Sequence, residues 1–295
     1  MKNKVKYRVL IILVVFCAFC WVLAAGFLIH GLVQDKSTEN IQSELQKIKE
    51  TAQTTDVAEP VTSDDVADDA EPEKLNDAVG STEPEMLPEY RELYEKNQDV
   101  IGWLSIDDTN IDYPVMQTME DECHYLRLDF YGKKNRNGCL IMDTDSVVGI
   151  GTAADGYASG TAPSTNLIIH GHTMKSGEMF GKLPLYADET YGKEHNIIRF
   201  DSLYEEREYE LIAVFYSQIF YTHEDVFKYY NFFQADTQEE FDDWYENIKE
   251  MSLYDTGVTA EFGDEFITLS CCSYHVEDGR FVVVGKRTDN PQYQE

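Results

Sequence analysis

Basic residues are scarce in this chain: 24 Lys and Arg stand against 55 Asp and Glu, a net charge of −31. Nucleic-acid binding demands basic patches, so that class is excluded. The six cysteines do not form the even, spaced pattern of a disulfide framework. Cys17 and Cys20 lie in an apolar run, while Cys271 and Cys272 are adjacent in an extended segment, where neighbouring side chains point apart. Only Cys123 and Cys139 are left to bridge. Outside the apolar run there is no Cys-x-x-Cys and nowhere a His-x-x-x-His; His170 and His172, with His275 as the one obvious third candidate, fall short of a zinc set. No metal and no cofactor is expected.

What is present begins at the N-terminus. Lys2, Lys4, Lys6 and Arg8 precede an uncharged, mostly apolar run from Val9 to Ile29, long enough to cross about 30 Å of hydrocarbon. Its length favours an uncleaved signal anchor over a signal peptide, although Ala24-Ala25-Gly26 offers a cleavage site. Positive residues before the span keep the N-terminus cytoplasmic and place the rest outside. From Thr51 to Glu85 there are eleven acidic residues and a single Lys74, a composition that predicts disorder. Glu39 to Glu50 reads as a short helix carrying Ile41, Leu45 and Ile48 on one side. The expected division is residues 1–8 cytoplasmic, 9–33 transmembrane anchor, 34–86 disordered acidic stalk and 87–295 a folded extracellular domain.

Beyond the stalk, Pro88 to Asn97 reads as a helix, and eight short strand-like segments follow between Val100 and Lys286. Such a series suggests a β-barrel. Thr237 to Met251 reads as a helix with a capping box, Thr237 and Glu240, and an apolar stripe of Phe241, Trp244 and Ile248. Thr144 to Thr165 is rich in Gly, Ala, Ser and Thr and reads as a long mobile loop, more an insertion than a gate.

The most informative stretch is Ile267 to Lys286. Alternation puts Ile267, Leu269 and Cys271 on one face and Thr268, Ser270 and Cys272 on the other. Asp278-Gly279 is a turn dipeptide, so a hairpin would bring Arg280 opposite Cys272. A thiol beside a guanidinium pairs a nucleophile with an oxyanion partner, and the proton carrier it needs is offered by His172, at the end of the apolar segment Asn166 to His170.

These residues resemble those of the class B sortases. Thr268-Leu-Ser-Cys-Cys272 resembles the signature Thr-Leu-x-Thr-Cys, with Cys271 in place of the threonine, and Gly171-His172 resembles the family's Gly-His. Arg280 falls where the class carries its arginine. Asn97 to Ile106, Ile111 to Gln117, Tyr125-Leu126, Gly138 to Asp143 and His172 to Phe180 follow in the class B order, so the resemblance runs from about Glu89 to Lys286. It lacks the Asp-Pro-aromatic lid and the second membrane span of pilus-building relatives, reads Asp121-Glu122 where many have Asp-Asn, and has His170 where many have tyrosine.

The resemblance implies a mostly β fold: an eight-stranded sortase-type barrel with an N-terminal helix and a helix between strands six and seven, preceded by a transmembrane helix and the stalk. It implies a cysteine transpeptidase of the Gram-positive envelope, with Cys272, His172 and Arg280 catalytic and Ser270 on the substrate face. Partners would be secreted proteins with a C-terminal sorting motif and a peptidoglycan amine. A cysteine protease hydrolysing the same thioacyl intermediate, and a non-catalytic surface binding module, are the competing readings.

Overall fold

The computed structural model describes residues 2–56, 84–158 and 160–288. Eight strands follow the predicted segments: β1 Val100–Ser105, β2 Asp112–Met116, β3 Leu140–Met142, β4 Asn166–Gly171, β5 Ile197–Ser202, β6 Glu208–Gln218, β7 Phe266–Cys272 and β8 Gly279–Arg287. They form one sheet in the order β1-β2-β3-β4-β7-β8-β6-β5, which closes because β1 also pairs with β5. The sheet is mixed: β2 with β3 and β4 with β7 run parallel, and the other pairs are antiparallel.

The inner faces of β4, β7 and β8 supply Leu167, Ile169, Ile267, Leu269, Cys271, Phe281 and Val283 to the main core. Outer residues Phe266, Val282 and Val284 are covered by Phe241, Trp244 and Ile248 of α4, Gln238–Met251. Burial on both faces explains why β7 and β8 read as nearly unbroken apolar runs. The capping box of α4 forms as predicted: the Glu240 N–H donates to Thr237 Oγ1 at 3.3 Å, and the Thr237 N–H donates to Glu240 Oε2 at 3.0 Å. Two other helices belong to the domain, α2 at Pro88–Lys96 and the short α3 at Glu189–Glu194.

The expected fold, a barrel preceded by a separate transmembrane helix and a disordered stalk, is corrected at its N-terminal end. The eight strands form one mixed, closed sheet, but the only helix long and apolar enough to cross a membrane among the described residues is the N-terminal helix itself, with no separate anchor before it. That helix, α1, runs unbroken from Lys2 to Asp56 through the predicted anchor and into the predicted stalk. No Gly or Pro interrupts residues 34–56, and Glu, Gln and Lys are good helix formers. Ile41, Leu45 and Ile48 find a partner, packing with Tyr90, Leu93, Trp103 and Phe130, and Lys49 pairs with Asp201 at 3.3 Å. The stripe is visible in the sequence, but the surface that it packs on lies far along the chain. Residues 57–83 of the predicted stalk lie outside the described residues.

The 144–165 segment is also more fastened than its composition predicts. Arg207 Nη1 donates to Val148 O at 2.8 Å, the Ala153 N–H donates to Glu205 Oε1 at 2.6 Å, and Tyr157 donates to Glu205 Oε2 at 3.1 Å. Ile150 and Thr161 bridge across it. The segment is a strap pinned to a buried charge network.

Candidate active site

β7 and β8 form the expected hairpin, with Cys272 registered opposite Arg280 and Cys271 opposite Phe281. Asp278 adopts a positive φ of 51°, and Gly279 follows where a Cβ would lie 2.4 Å from Ser273 O, so only glycine fits. Alternation separates the two thiols. Cys271 points into the core at 2 % exposure, and burial pushes its thiol up to about 12, so it stays protonated. Cys272 is half-buried and opens on the cleft. All six cysteines are free, including Cys123 and Cys139.

Arg280 is half-buried beside it. Its Nη1 donates to Asp278 O at 3.2 Å and Gly279 O at 3.1 Å, which orients the guanidinium. Among the described residues no carboxylate pairs with it, so its charge is directed at whatever fills the cleft.

His172 arrives from the parallel neighbour. β4 pairs with β7, placing Gly171 opposite Cys271 and His172 one residue beyond the strand, at the level of Cys272. Gly171 is required here, since a Cβ would come within 2.4 Å of the Phe180 ring. Nε2 of His172 lies 2.8 Å from Leu126 O. A carbonyl oxygen only accepts, so Nε2 carries the proton and Nδ1 is left for proton transfer in the neutral ring. Leu126 sits in a 3-10 turn, His124–Arg127. Thr173 Oγ1 donates to Cys272 O at 2.5 Å, tying the two loops together.

The three residues line one open cleft, together with Leu126, Ile219 and Tyr230. Ser270 lies on the cleft face as expected but is 1 % exposed, and its hydroxyl is engaged with that of Tyr229 at 2.7 Å. His170 does not join His275, which hydrogen-bonds Ser273 and rests on the Tyr216 ring. Instead His170 Nε2 lies 3.1 Å from Asp143 Oδ2 and 3.9 Å from Glu122 Oε1. One ligand atom from each of these three lies within 4.8 Å of the others, the arrangement that could hold an ion. Burial, then the neighbouring Asp143, pushes the Glu122 carboxyl up. The Leu126 carbonyl, Tyr229 and Asp143 gave no functional signal in the sequence; Glu122 stood out only as a departure from the family's Asp-Asn.

No family model matches the chain. Sortase B of Listeria monocytogenes is 30% identical to it over 200 residues, covering 67% of this chain and 73% of the relative. The chain belongs to the sortase B family. The crystal structure of sortase B from B. anthracis in complex with AAEK1 superposes with a TM-score of 0.64 at 26% identity, covering 87% of this chain and 99% of that one. A Staphylococcus aureus sortase B–substrate complex shares the fold at a TM-score of 0.66 and 21% identity, covering 87% and 98%. As a sortase B it is a cysteine transpeptidase, acting on sorting motifs through a thioacyl intermediate.

Proposed function

We propose that Cys272 is the nucleophile, Arg280 the oxyanion and peptide ligand, and His172 the proton carrier of this transpeptidase. The observation that carries the assignment is the registered Cys272–Arg280 pair, with His172 at the same level on the adjoining strand. The Cys272 thiolate adds to the carbonyl carbon of the scissile bond, and the oxyanion forms against the Arg280 guanidinium. Collapse expels the amine, which takes a proton from the His172 imidazolium, leaving a thioester on Cys272. An incoming amine then attacks that thioester, neutral His172 accepts its proton, and the thiolate departs with a new amide formed. Ser270, buried against Tyr229, shapes the cleft wall and touches substrate only at its floor.

The apolar part of α1 anchors the enzyme, with the basic N-terminus cytoplasmic and the catalytic domain outside. The acceptor is a peptidoglycan amine, and the donor is a secreted protein bearing a C-terminal sorting motif. Product analysis with and without an amine nucleophile tests this. Amide product in place of free acid when amine is supplied is expected; free acid alone in both would make the enzyme a protease.

A further inference from the structure

The place where α1 leaves the catalytic domain carries a charge opposite to that of the chain. The predicted anchor, residues 9–33, ends at Val33. Beside it, Arg136 reaches α1: its Nη2 pairs with both carboxylate oxygens of Asp35 at 2.7 and 2.8 Å, and its N–H donates to Gln34 Oε1 at 3.2 Å. Gly31 lets it approach, because a Cβ there would lie 2.8 Å from Arg136 Nη1. Arg136 therefore sits at the level where the predicted anchor ends.

The preceding loop descends along α1 toward that level. Tyr131 donates to Glu44, and Asn135 donates to Thr38. At about 1.5 Å rise per residue, Glu44 to Asp35 is roughly 14 Å. Lys133 and Lys134 lie between, both exposed, and Arg127 Nη1 donates to Arg136 O at 3.2 Å. Among the described residues no carboxylate pairs with Arg127, Lys133, Lys134 or Lys36 of α1. Asp35 is committed to Arg136; Glu39 and Glu44 are exposed acids on this stretch of α1, Glu44 accepting from Tyr131, and Asp129 is buried in the loop. The four cations without a carboxylate partner, Arg127, Lys133, Lys134 and Lys36, therefore outnumber these three acids, Glu39, Glu44 and Asp129.

We infer that this basic loop docks the catalytic domain on the anionic lipid headgroups around its own anchor. The inference rests on the membrane-anchored reading of α1. Two features distinguish the patch from an ordinary solvated surface: it is cationic on a chain of net charge −31, and α1 packing holds it beside the last apolar turn. Charges held within about a Debye length, ~10 Å, of an anionic leaflet are attracted to it. The docking has a consequence for the site. Arg127 ends the same 3-10 turn whose Leu126 carbonyl holds His172, so one wall of the cleft is held at the membrane surface.

The test uses the full chain in lipid nanodiscs, either wholly phosphatidylcholine or containing one-third phosphatidylglycerol, with amide hydrogen exchange read over residues 127–137. Slower exchange in the anionic discs is expected, by about fivefold or more. It should be lost in Lys133→Glu/Lys134→Glu and in high salt, while thermal unfolding of that variant stays unchanged. Arg136 is left intact because it holds α1. Equal exchange in the two kinds of disc, or protection that survives charge reversal, overturns the proposal. Failure of the chain to co-migrate with discs would instead overturn the anchor reading.

Discussion

The two ends of β8 each carry an arginine, and the two are held in opposite ways. Phe281 and Val283 point into the core, so Arg287 falls on the inner face, while Arg280 shares the outer face with Val282 and Val284. Arg287 is 3 % exposed and fully committed: it pairs with Glu265 at 2.8 Å and Glu205 at 3.1 Å, and donates to Tyr157 at 3.1 Å. Arg280 is tethered only by two backbone carbonyls. A buried guanidinium with matched carboxylates closes one end of the sheet and serves structure. A half-exposed one without a counter-ion keeps its charge for a ligand, and it stands opposite a thiol.

The most severe break of this contrast is at that thiol. Cys272→Ala is expected to abolish cleavage of a sorting peptide, whereas Cys271→Ala, on the core side, keeps most of it. Mass spectrometry of the trapped thioacyl enzyme locates the adduct; finding it on Cys271 would reverse the roles of the two faces. Next in size is Arg280→Lys, which preserves charge but loses the planar fork that serves peptide and oxyanion together. Single-turnover acylation should fall about a hundredfold or more, by analogy with removing an oxyanion donor. Near-normal acylation would reduce Arg280 to a diffuse positive charge.

Much of this contrast was legible in the sequence, and its limits are physical. Alternation and the Asp278-Gly279 turn predicted that Cys272 faces Arg280, because strand period and hairpin turns are local rules. The family's Gly-His pointed to His172. The acceptor that orients its ring is a backbone carbonyl, Leu126 O, and a backbone acceptor leaves no mark in residue identity. At the other end, nothing in the sequence marks Arg207, Glu205, Glu265 and Arg287 as partners, since only the closure of the sheet assembles them. The same holds for α1: its Ile41, Leu45 and Ile48 stripe was visible, but the surface it covers is built from α2, β1 and the segment around Phe130.

A third expectation separates the arginines by stability. Arg287→Met removes a buried guanidinium that pairs with both Glu205 and Glu265, and breaking a buried ion pair from one side typically costs about 3–5 kcal/mol. Thermal unfolding of the full chain in detergent should show a clear drop, with acylation per folded molecule little changed. Arg280→Met should do the reverse. Equal loss of stability in both variants would mean that Arg280 is as structural as Arg287.

The smallest expected effect sharpens the comparison through pH. Burial alone pushes the Glu205 carboxyl up, but the Ala153 N–H and the guanidiniums of Arg207 and Arg287 outweigh it and hold it below its ordinary 4.5. A carboxyl depressed in the folded state binds its proton more readily in the unfolded chain. Its stabilisation is therefore present above the unfolded value near 4.5 and fades as pH falls through the lower folded value. Glu205→Gln removes the charge, and at pH 7 it should cost about 1–3 kcal/mol by weakening charge-assisted bonds to two arginines. Unfolding midpoints of the two proteins, measured downward from pH 7, should converge below about pH 4.5 as the native carboxylate is protonated. The strap at Val148 to Tyr157 should loosen with it, seen as faster amide exchange at Ala153, whose N–H donates to Glu205. A gap between the two proteins that stays constant to low pH would show that Glu205 acts through shape and hydrogen bonding, and that its charge contributes nothing to holding the buried end.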